Sequence, residues 1–467
     1  MNRTRRLVLA IAILAAFVAF LDGSVINVAL PAITDELEGG LSLQQWVVDA
    51  YLITLGSLIL LAGSLSDVFG RIVVLRWGLV GFGVTSILCA AAPTGEFLIV
   101  SRGLQGVAGA LLVPSSLAII MSTFRGPAQA RAIGQWTAWT SAAFIAGPIL
   151  GGIFVDLLSW RLVFAINVLP IAVTLGLLAL LGQKDERQRG VPIDYLGAVL
   201  GVVGLGAPVF ALIEQGRYGW ASPIIWIPFV VGLAAFAAFL WRQKVAKHPM
   251  MPLGLFRVRN FGVGNLATVV VYGALSLGGF VFTVYLQQSA GYSATLAGVA
   301  FVPVTIIMVA FSSVFGALAG RHGPRLFMAA GPIIGGIGFL LMLGIPANAD
   351  YFTRVLPGVA VFGLGLTMTV APLTAAILGS ISARQAGVGS AVNNAIARIA
   401  GLVAIAMIGV IVGAELDGEG FRRGIIVTAI LLIVGGLISA VGITNVRTQT
   451  IPAESTGELP APKHPLR

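Results

Sequence analysis

The chain has 467 residues, 58% of them hydrophobic and only 10% charged, with 28 basic against 18 acidic side chains and a formal net charge of +10. A soluble domain carries roughly 25% charged residues, and apolar runs of about 20 residues suit helices crossing roughly 30 Å of hydrocarbon rather than the short alternating strands of an outer-membrane barrel. The composition excludes soluble enzymes and points to an all-α polytopic membrane protein; Cys89 is the lone cysteine, and His248, His322 and His464 all fall in connectors, so neither a disulfide nor a metal cluster is expected.

Fourteen spans are predicted, near 7–31, 44–64, 72–92, 97–123, 130–156, 160–182, 192–214, 222–243, 260–289, 294–319, 325–346, 351–378, 386–414 and 421–445. The basic start at Arg3, Arg5 and Arg6 imitates a signal peptide. Its apolar stretch runs past Leu30 without a small-residue cleavage pattern, so it reads as a retained first span. In predicted helix 1, Ala15, Ala19, Asp22 and Ala29 share one face, while Phe17, Phe20, Ser24 and Asn27 share nearly the opposite one. The small-residue face should pack on a neighbour, and Phe20, Ser24 and Asn27 should look into a cavity.

Predicted helix 2 opens with Gln45-Trp46-Val47-Val48-Asp49-Ala50-Tyr51 and runs into the connector Gly63-Ser64-Leu65-Ser66-Asp67-Val68-Phe69-Gly70-Arg71. Predicted helix 4 places Arg102, Gln105, Gly106, Gly109 and Ser116 on one stripe. At about 1.5 Å per residue, Asp22 lies about 13 Å from the far end of its predicted helix, and Asp49 and Arg102 about 8 Å from theirs. Predicted helix 5 contains Gly147-Pro148-x-x-Gly151-Gly152. The Gly-Pro step should interrupt the helix, and the paired glycines should let a neighbour approach closely. Trp136 and Trp139 on the same helix are cavity candidates, as is Gln105.

After predicted helix 10 the connector Gly316-Ala317-Leu318-Ala319-Gly320-Arg321 echoes the one after helix 2. Internal duplication follows, with helices 1–6 and 9–14 as parallel copies because each holds an even number of spans. The expected division is 1–183 for an N-terminal six-helix bundle, 184–258 for a linker with two inserted helices, 259–446 for a C-terminal bundle and 447–467 for a disordered tail. A site should lie between the bundles. Tyr272 and Gln287 in helix 9, Thr367 and Thr374 in helix 12, and Asn393, Asn394 and Arg398 in helix 13 are second-half cavity candidates; no acid lies within helices 9–14.

Of the 28 basic residues, Arg161, Arg217, Arg354, Arg422 and Arg423 fall in connectors on one side, Arg102 and Arg398 fall within spans, and the other 21 fall on the side of the termini. This bias places both termini in the cytoplasm and the chain in the cell inner membrane. It also explains the net positive charge without a nucleic acid partner. No connector has room for an ATPase domain and no phosphate-binding GxxxxGK[ST] loop is present, so uphill transport would be driven by an ion gradient or by a partner chain; no cofactor and no required protein partner are evident.

The pattern Gly63-x-Leu65-x-Asp67-x-x-Gly70-Arg71 resembles the cytoplasmic loop motif of the major facilitator superfamily. Four further segments resemble motifs of its fourteen-helix drug:proton antiporter branch: Leu21-Asp22-Gly23-Ser24-Val25-Ile26-Asn27-Val28-Ala29-Leu30-Pro31, the Gln45–Tyr51 segment, Arg102-x-x-Gln105-Gly106, and Gly134 with Gly147-Pro148-x-x-Gly151-Gly152. The sequence departs from the family at Val68 and Ile72, where basic residues are usual, at Ser24 for Thr, and at Ala143 for Gly. The resemblance implies the two-bundle fold, alternating access, and gating by Gly63, Asp67, Gly70, Arg71, Gly147, Pro148, Gly151, Gly152 and Arg321.

An Asp at the bilayer centre costs about 2.5 to 3.5 kcal/mol, so Asp22 needs a partner or a task. Asp22, Asp49 and Arg102 form two acids and one base, and the Arg can stabilise one carboxylate at a time. The expectation is that Asp22 takes a proton from outside and Arg102 moves between the two acids. Asp22→Asn should then abolish coupled transport but leave folding. The expected activity is proton-coupled export of hydrophobic or amphipathic small molecules. The alternatives are a dedicated transporter for one solute and a non-transporting membrane sensor.

Overall fold

The computed structural model describes residues 3–181, 193–246, 249–346, 348–382, 385–413 and 416–445. The expected disordered tail from 447, the linker charges Lys184, Arg187 and Arg189, and Lys247, His248, Arg384, Glu415, Arg447, Lys463, His464 and Arg467 lie outside the described residues.

Fourteen helices are long and apolar enough to cross a membrane. They are α1 Arg3–Leu37, α2 Gly40–Phe69, α3 Arg71–Ala90, α4 Gly95–Thr123, α5 Gly126–Leu157, α6 Leu162–Leu181, α7 Tyr195–Tyr218, α8 Pro223–Val245, α9 Arg259–Gln288, α10 Ala294–His322, α11 Pro324–Leu341, α12 Tyr351–Leu378, α13 Ala386–Ala406 and α14 Gly418–Gly442. The even number brings both ends of the described chain to one face, called here the terminal face, and the opposite one the far face.

The prolines act less uniformly than their chemistry suggests. α1 continues through Pro31 to Leu37, six residues beyond its predicted end, and the Thr34 hydroxyl donates back to the Leu30 and Pro31 carbonyls. Asp22 therefore lies about 22 Å along the helix from its far end, deeper than the predicted 13 Å. The expected interruption at Gly147-Pro148 is absent, because α5 stays helical from Gly126 to Leu157. In hydrocarbon, a continuous helix loses one backbone bond at a proline, whereas a break exposes several. By contrast α6 breaks at Ile166-Asn167, ahead of Pro170, and α10 breaks at Ala300-Phe301, ahead of Pro303. α12 begins with one wide π-type turn at Tyr351–Val355, ahead of Pro357.

α1 is the hub of the first half and packs on α4, α5 and α6; α9 plays that part in the second, against α13 and α14. α7 and α8 pair with each other, and α7 lies along α2. The two similar connectors also share a backbone geometry. Gly70 between α2 and α3 has φ +101°, and Gly323 between α10 and α11 has φ +87°, a region where a side chain would be strained. The second-half counterpart of the Gly70-Arg71 step is thus Gly323-Pro324, and Arg321 sits exposed in the last turn of α10.

Toward the terminal face each half has its own apolar core: Val8, Ile11, Phe82, Leu112 and Phe124 in one, Leu255, Phe261, Met328 and Ile377 in the other. Toward the far face they share one. Ile26, Leu30, Ile33 and Trp160 join the same cluster as Leu277, Val281, Phe282 and Phe421. The molecule is closed at its far face.

Candidate functional site

Asp22 is buried at the junction of four helices, and the glycines of α4 explain how its partner reaches it. A side chain at Gly106 would collide with the Thr54 hydroxyl and the Tyr51 carbonyl, so the bare backbone lets α4 press against α2. The Thr54 hydroxyl donates to the Gly103 carbonyl at 2.8 Å across the same contact. Arg102 then sits over the Tyr51 ring at 4.3 Å, and its Nε donates to the Val47 carbonyl at 3.0 Å.

The Arg102 Nη1 meets the Asp22 Oδ2 at 2.7 Å, both side chains about 1% exposed. Gln105, one helical turn on, accepts from the same Nη1 at 2.6 Å and donates through Nε2 to Asp22 Oδ1 at 3.0 Å and to the Ser86 hydroxyl at 2.9 Å. Asn167 completes the set, donating to Asp22 Oδ1 at 2.9 Å. The carboxylate therefore accepts three hydrogen bonds in a sealed pocket. Such charge-assisted bonds offset the cost of removing both ions from water. Ser86 and Asn167 were not among the sequence candidates. A polar side chain in the apolar run Ala165-Ile166-Asn167-Val168-Leu169 was the available signal for Asn167.

Asp49 is fully buried, and neither of its carboxyl oxygens has a hydrogen-bond partner. The three charged residues thus divide as a closed pair and an unpartnered acid. Gln45 lies one turn away and donates to the Ile405 and Ala406 carbonyls of α13 at 2.7 and 3.1 Å, so this stripe of α2 faces the second half.

Aromatic side chains carry another contact between the halves. Phe20 makes ring contacts with Trp136 at 6.3 Å and Phe144 at 5.6 Å, and the Arg398 guanidinium stands 5.6 Å over the same Phe20 ring. Trp136 donates to the Ser116 hydroxyl at 3.3 Å, and Trp139 is 57% exposed. At the far face Asp156 on α5 accepts from the Ala294 and Thr295 N–H groups, at 3.0 and 2.8 Å, and so caps the first turn of α10. Gly152 abuts Thr295, Gly151 abuts Val25, and Gly298 abuts the Pro148 backbone so tightly that an added Cβ would overlap each neighbour.

The sequence profile described as Major Facilitator Superfamily matches residues 12–405. The chain belongs to the Major Facilitator Superfamily. This superfamily member is 34% identical over 411 residues to the "Methylenomycin A resistance protein" of Bacillus subtilis (strain 168), covering 87% of each chain. It is 32% identical to the "Multidrug resistance protein Stp" of Mycobacterium tuberculosis (strain CDC 1551 / Oshkosh), covering 89% of this chain and 78% of that one. The "Puromycin resistance protein pur8" of Streptomyces alboniger is 33% identical, with 86% of this chain and 80% of the relative covered. Among solved structures, a POT family transporter in complex with 5-aminolevulinic acid shares the fold with a TM-score of 0.71 at 14% identity, covering 94% and 95% of the two chains.

Within this facilitator fold the candidates separate into groups. Asp22, Arg102 and Gln105 come together. Gln105 and Ser24 do not line the cavity as expected. Gln105 follows Arg102 by one turn and is drawn into the ion pair. Ser24 is 7% exposed, donates to the Leu21 and Ala143 carbonyls and lies under Gly147. Phe20 meets Trp136 on one side and Arg398 of the second half on the other, Trp139 is exposed, and Asn27 and Tyr272 are half-buried. Asn393 bonds Asn265 and Thr268 within the second half, Asn394 is half-buried, and Gln287 sits near the far end of α9 on the Thr283 carbonyl. Asp67 pairs with Arg71 at 3.7 Å, Arg71 reaches the Ala118 carbonyl at 3.4 Å, and a side chain at Gly63 would meet open space. These loop contacts stay within the first half.

Proposed function

We propose that this chain is a proton-coupled exporter of hydrophobic or amphipathic small molecules, working by alternating access between two six-helix bundles, 1–183 and 259–446, with 184–258 carrying an inserted pair. The single observation carrying this reading is the sealed Asp22–Arg102 pair inside the membrane-spanning helices. The resistance proteins among its relatives support the direction and substrate class. The charge bias of the connectors supports cytoplasmic termini in the inner membrane, which makes the far face the external one.

In this reading Asp22 and Asp49 are alternative partners of one arginine. When the far side opens, external water reaches the cluster, Asp22 takes a proton, and Arg102 turns to Asp49, whose two oxygens await a donor. Closure of the far gate through Asp156 and the α5 and α10 glycines carries the proton to the cytoplasmic mouth. There, substrate binding accompanies proton release and re-forms the Asp22–Arg102 pair. One proton moving inward down about 150 mV supplies about 3.5 kcal/mol, enough for roughly a 300-fold gradient.

Everted membrane vesicles carrying a pH probe test the proposal. Added drugs should release protons from the loaded vesicle interior, and Asp22→Asn should abolish that exchange. Retained uphill transport in the variant removes Asp22 from the mechanism. Proton release with one compound from a broad panel would instead identify a dedicated exporter, and silence with every compound a sensor.

A further inference from the structure

Four charged side chains lie in the interiors of the described spans: Asp22, Asp49, Arg102 and Arg398. The first three are sealed, at 1%, 0% and 0% exposure, and two of them neutralise each other. Arg398 differs. It is half-buried midway along α13, no carboxylate pairs with it among the described residues, and its recorded partner is the face of Phe20 across the gap between the halves. Gly56 keeps α2 bare where the Arg398 stem passes, 3.7 Å from the Cβ a side chain would add there. The one acid within the described spans of the second half, Glu419, lies in the first turn of α14 at the far face and pairs with Arg423.

A guanidinium in hydrocarbon needs an acceptor, and the ring of Phe20 satisfies none of its N–H donors. The geometry points to Arg398 as the substrate-recognition charge of the cavity, selecting amphiphiles that carry a carboxylate or similar anionic group beside an aromatic or aliphatic body. The apolar body would rest on Phe20, Trp136 and Phe144, and the anion would take the guanidinium in a forked pair. A cation of the same shape meets repulsion with no carboxylate to offset it. This inference rests on the exporter reading and narrows its substrate class. Exporting a monoanion against one inward proton moves two charges in the favourable direction, so the membrane potential assists both movements.

Three probes with one ring system test it in energised everted vesicles: pyrenebutyrate, a pyrenebutyl trimethylammonium salt and neutral pyrenebutanol, with uptake read against vesicles lacking the protein. Wild-type vesicles should take up the carboxylate in preference to the ammonium probe. Arg398→Gln should raise the apparent KM for the carboxylate about 10-fold or more, the size of a lost charged hydrogen bond, and by at least about 10-fold more than it shifts that for the alcohol. Arg398→Lys, which keeps the charge but not the fork, should fall between wild type and Arg398→Gln for the carboxylate while preserving its preference over the ammonium probe. Preference for the ammonium probe, an unchanged carboxylate KM in Arg398→Gln, or an equal loss for carboxylate and alcohol would each overturn the inference while leaving the exporter reading standing. Failure of wild type to move the carboxylate probe would overturn the inference, whereas the exporter reading falls only with silence across the broad panel.

Discussion

Replacing Asp22 by Asn changes one oxygen for one NH2 group, yet the surroundings make it a severe test. Asp22 accepts from Arg102, Gln105 and Asn167, three donors converging on two oxygens. Asparagine supplies one acceptor oxygen, and its NH2 must point at a group that is itself a donor. Arg102 stays 0% exposed with its charge uncompensated. Breaking one partner of a buried pair costs about 3–5 kcal/mol, so thermal unfolding in detergent should fall on the order of 5 °C or more. The structure thereby revises the expectation that Asp22→Asn leaves folding untouched. Neutralising both partners, Asp22→Asn with Arg102→Gln, removes the stranded charge and should regain a large part of the stability while proton-coupled uptake stays absent. A single variant as stable as wild type would refute a sealed, fully satisfied pair. Recovery of coupled transport in the double variant would refute the switch.

Further outcomes concern the far gate and the inserted helices. Gly298→Val places a branched side chain against the Pro148 backbone. It should hold the far face open, read as faster labelling of Asn27→Cys by an impermeant maleimide; buried Cys89 gives a silent background. Asp156→Asn weakens a helix cap worth about 1 kcal/mol, and the same assay should show about a fivefold shift toward the far-open form. Asp194, just before α7, is pushed up by burial, but the Gly197 N–H, Arg242 and Gln243 outweigh that and hold its carboxyl below the usual range. Its stabilisation should be complete above the unfolded value of about 3.9 and fade as pH falls toward the lower folded value. The difference in melting temperature between wild type and Asp194→Asn should therefore shrink between pH 5 and 3. An unchanged difference would deny the charge its role.

A pairing between Arg102 and an intramembrane acid was legible because such an acid demands compensation and the arginine stands on another span, level with Asp49 and about 5 Å from the depth predicted for Asp22. Which acid held the arginine was not. Asp22 and Asp49 differ in surroundings contributed by α3, α6 and α13, and no spacing along the chain encodes those neighbours. Ser24 and Gln105 were misassigned to the cavity for a related reason. Helical periodicity names the face a residue shares, but the packing partner decides whether that face meets a void, another helix or an ion pair. Asp156, read as the end of a span, becomes a gate element only when the first turn of α10 is brought beside it.

Hydropathy determines helix number because every backbone group in hydrocarbon must be satisfied locally, so the fourteen spans follow from sequence-local physics. The sealed far face, the isolation of Asp49 and the exposure of Arg398 to the space between the halves are decided by contacts between residues hundreds of positions apart, as in Gln45 reaching Ile405. Those contacts depend on how two similar bundles lean on each other. A hydrophobic pattern that is satisfied equally well in either tilt cannot encode that choice.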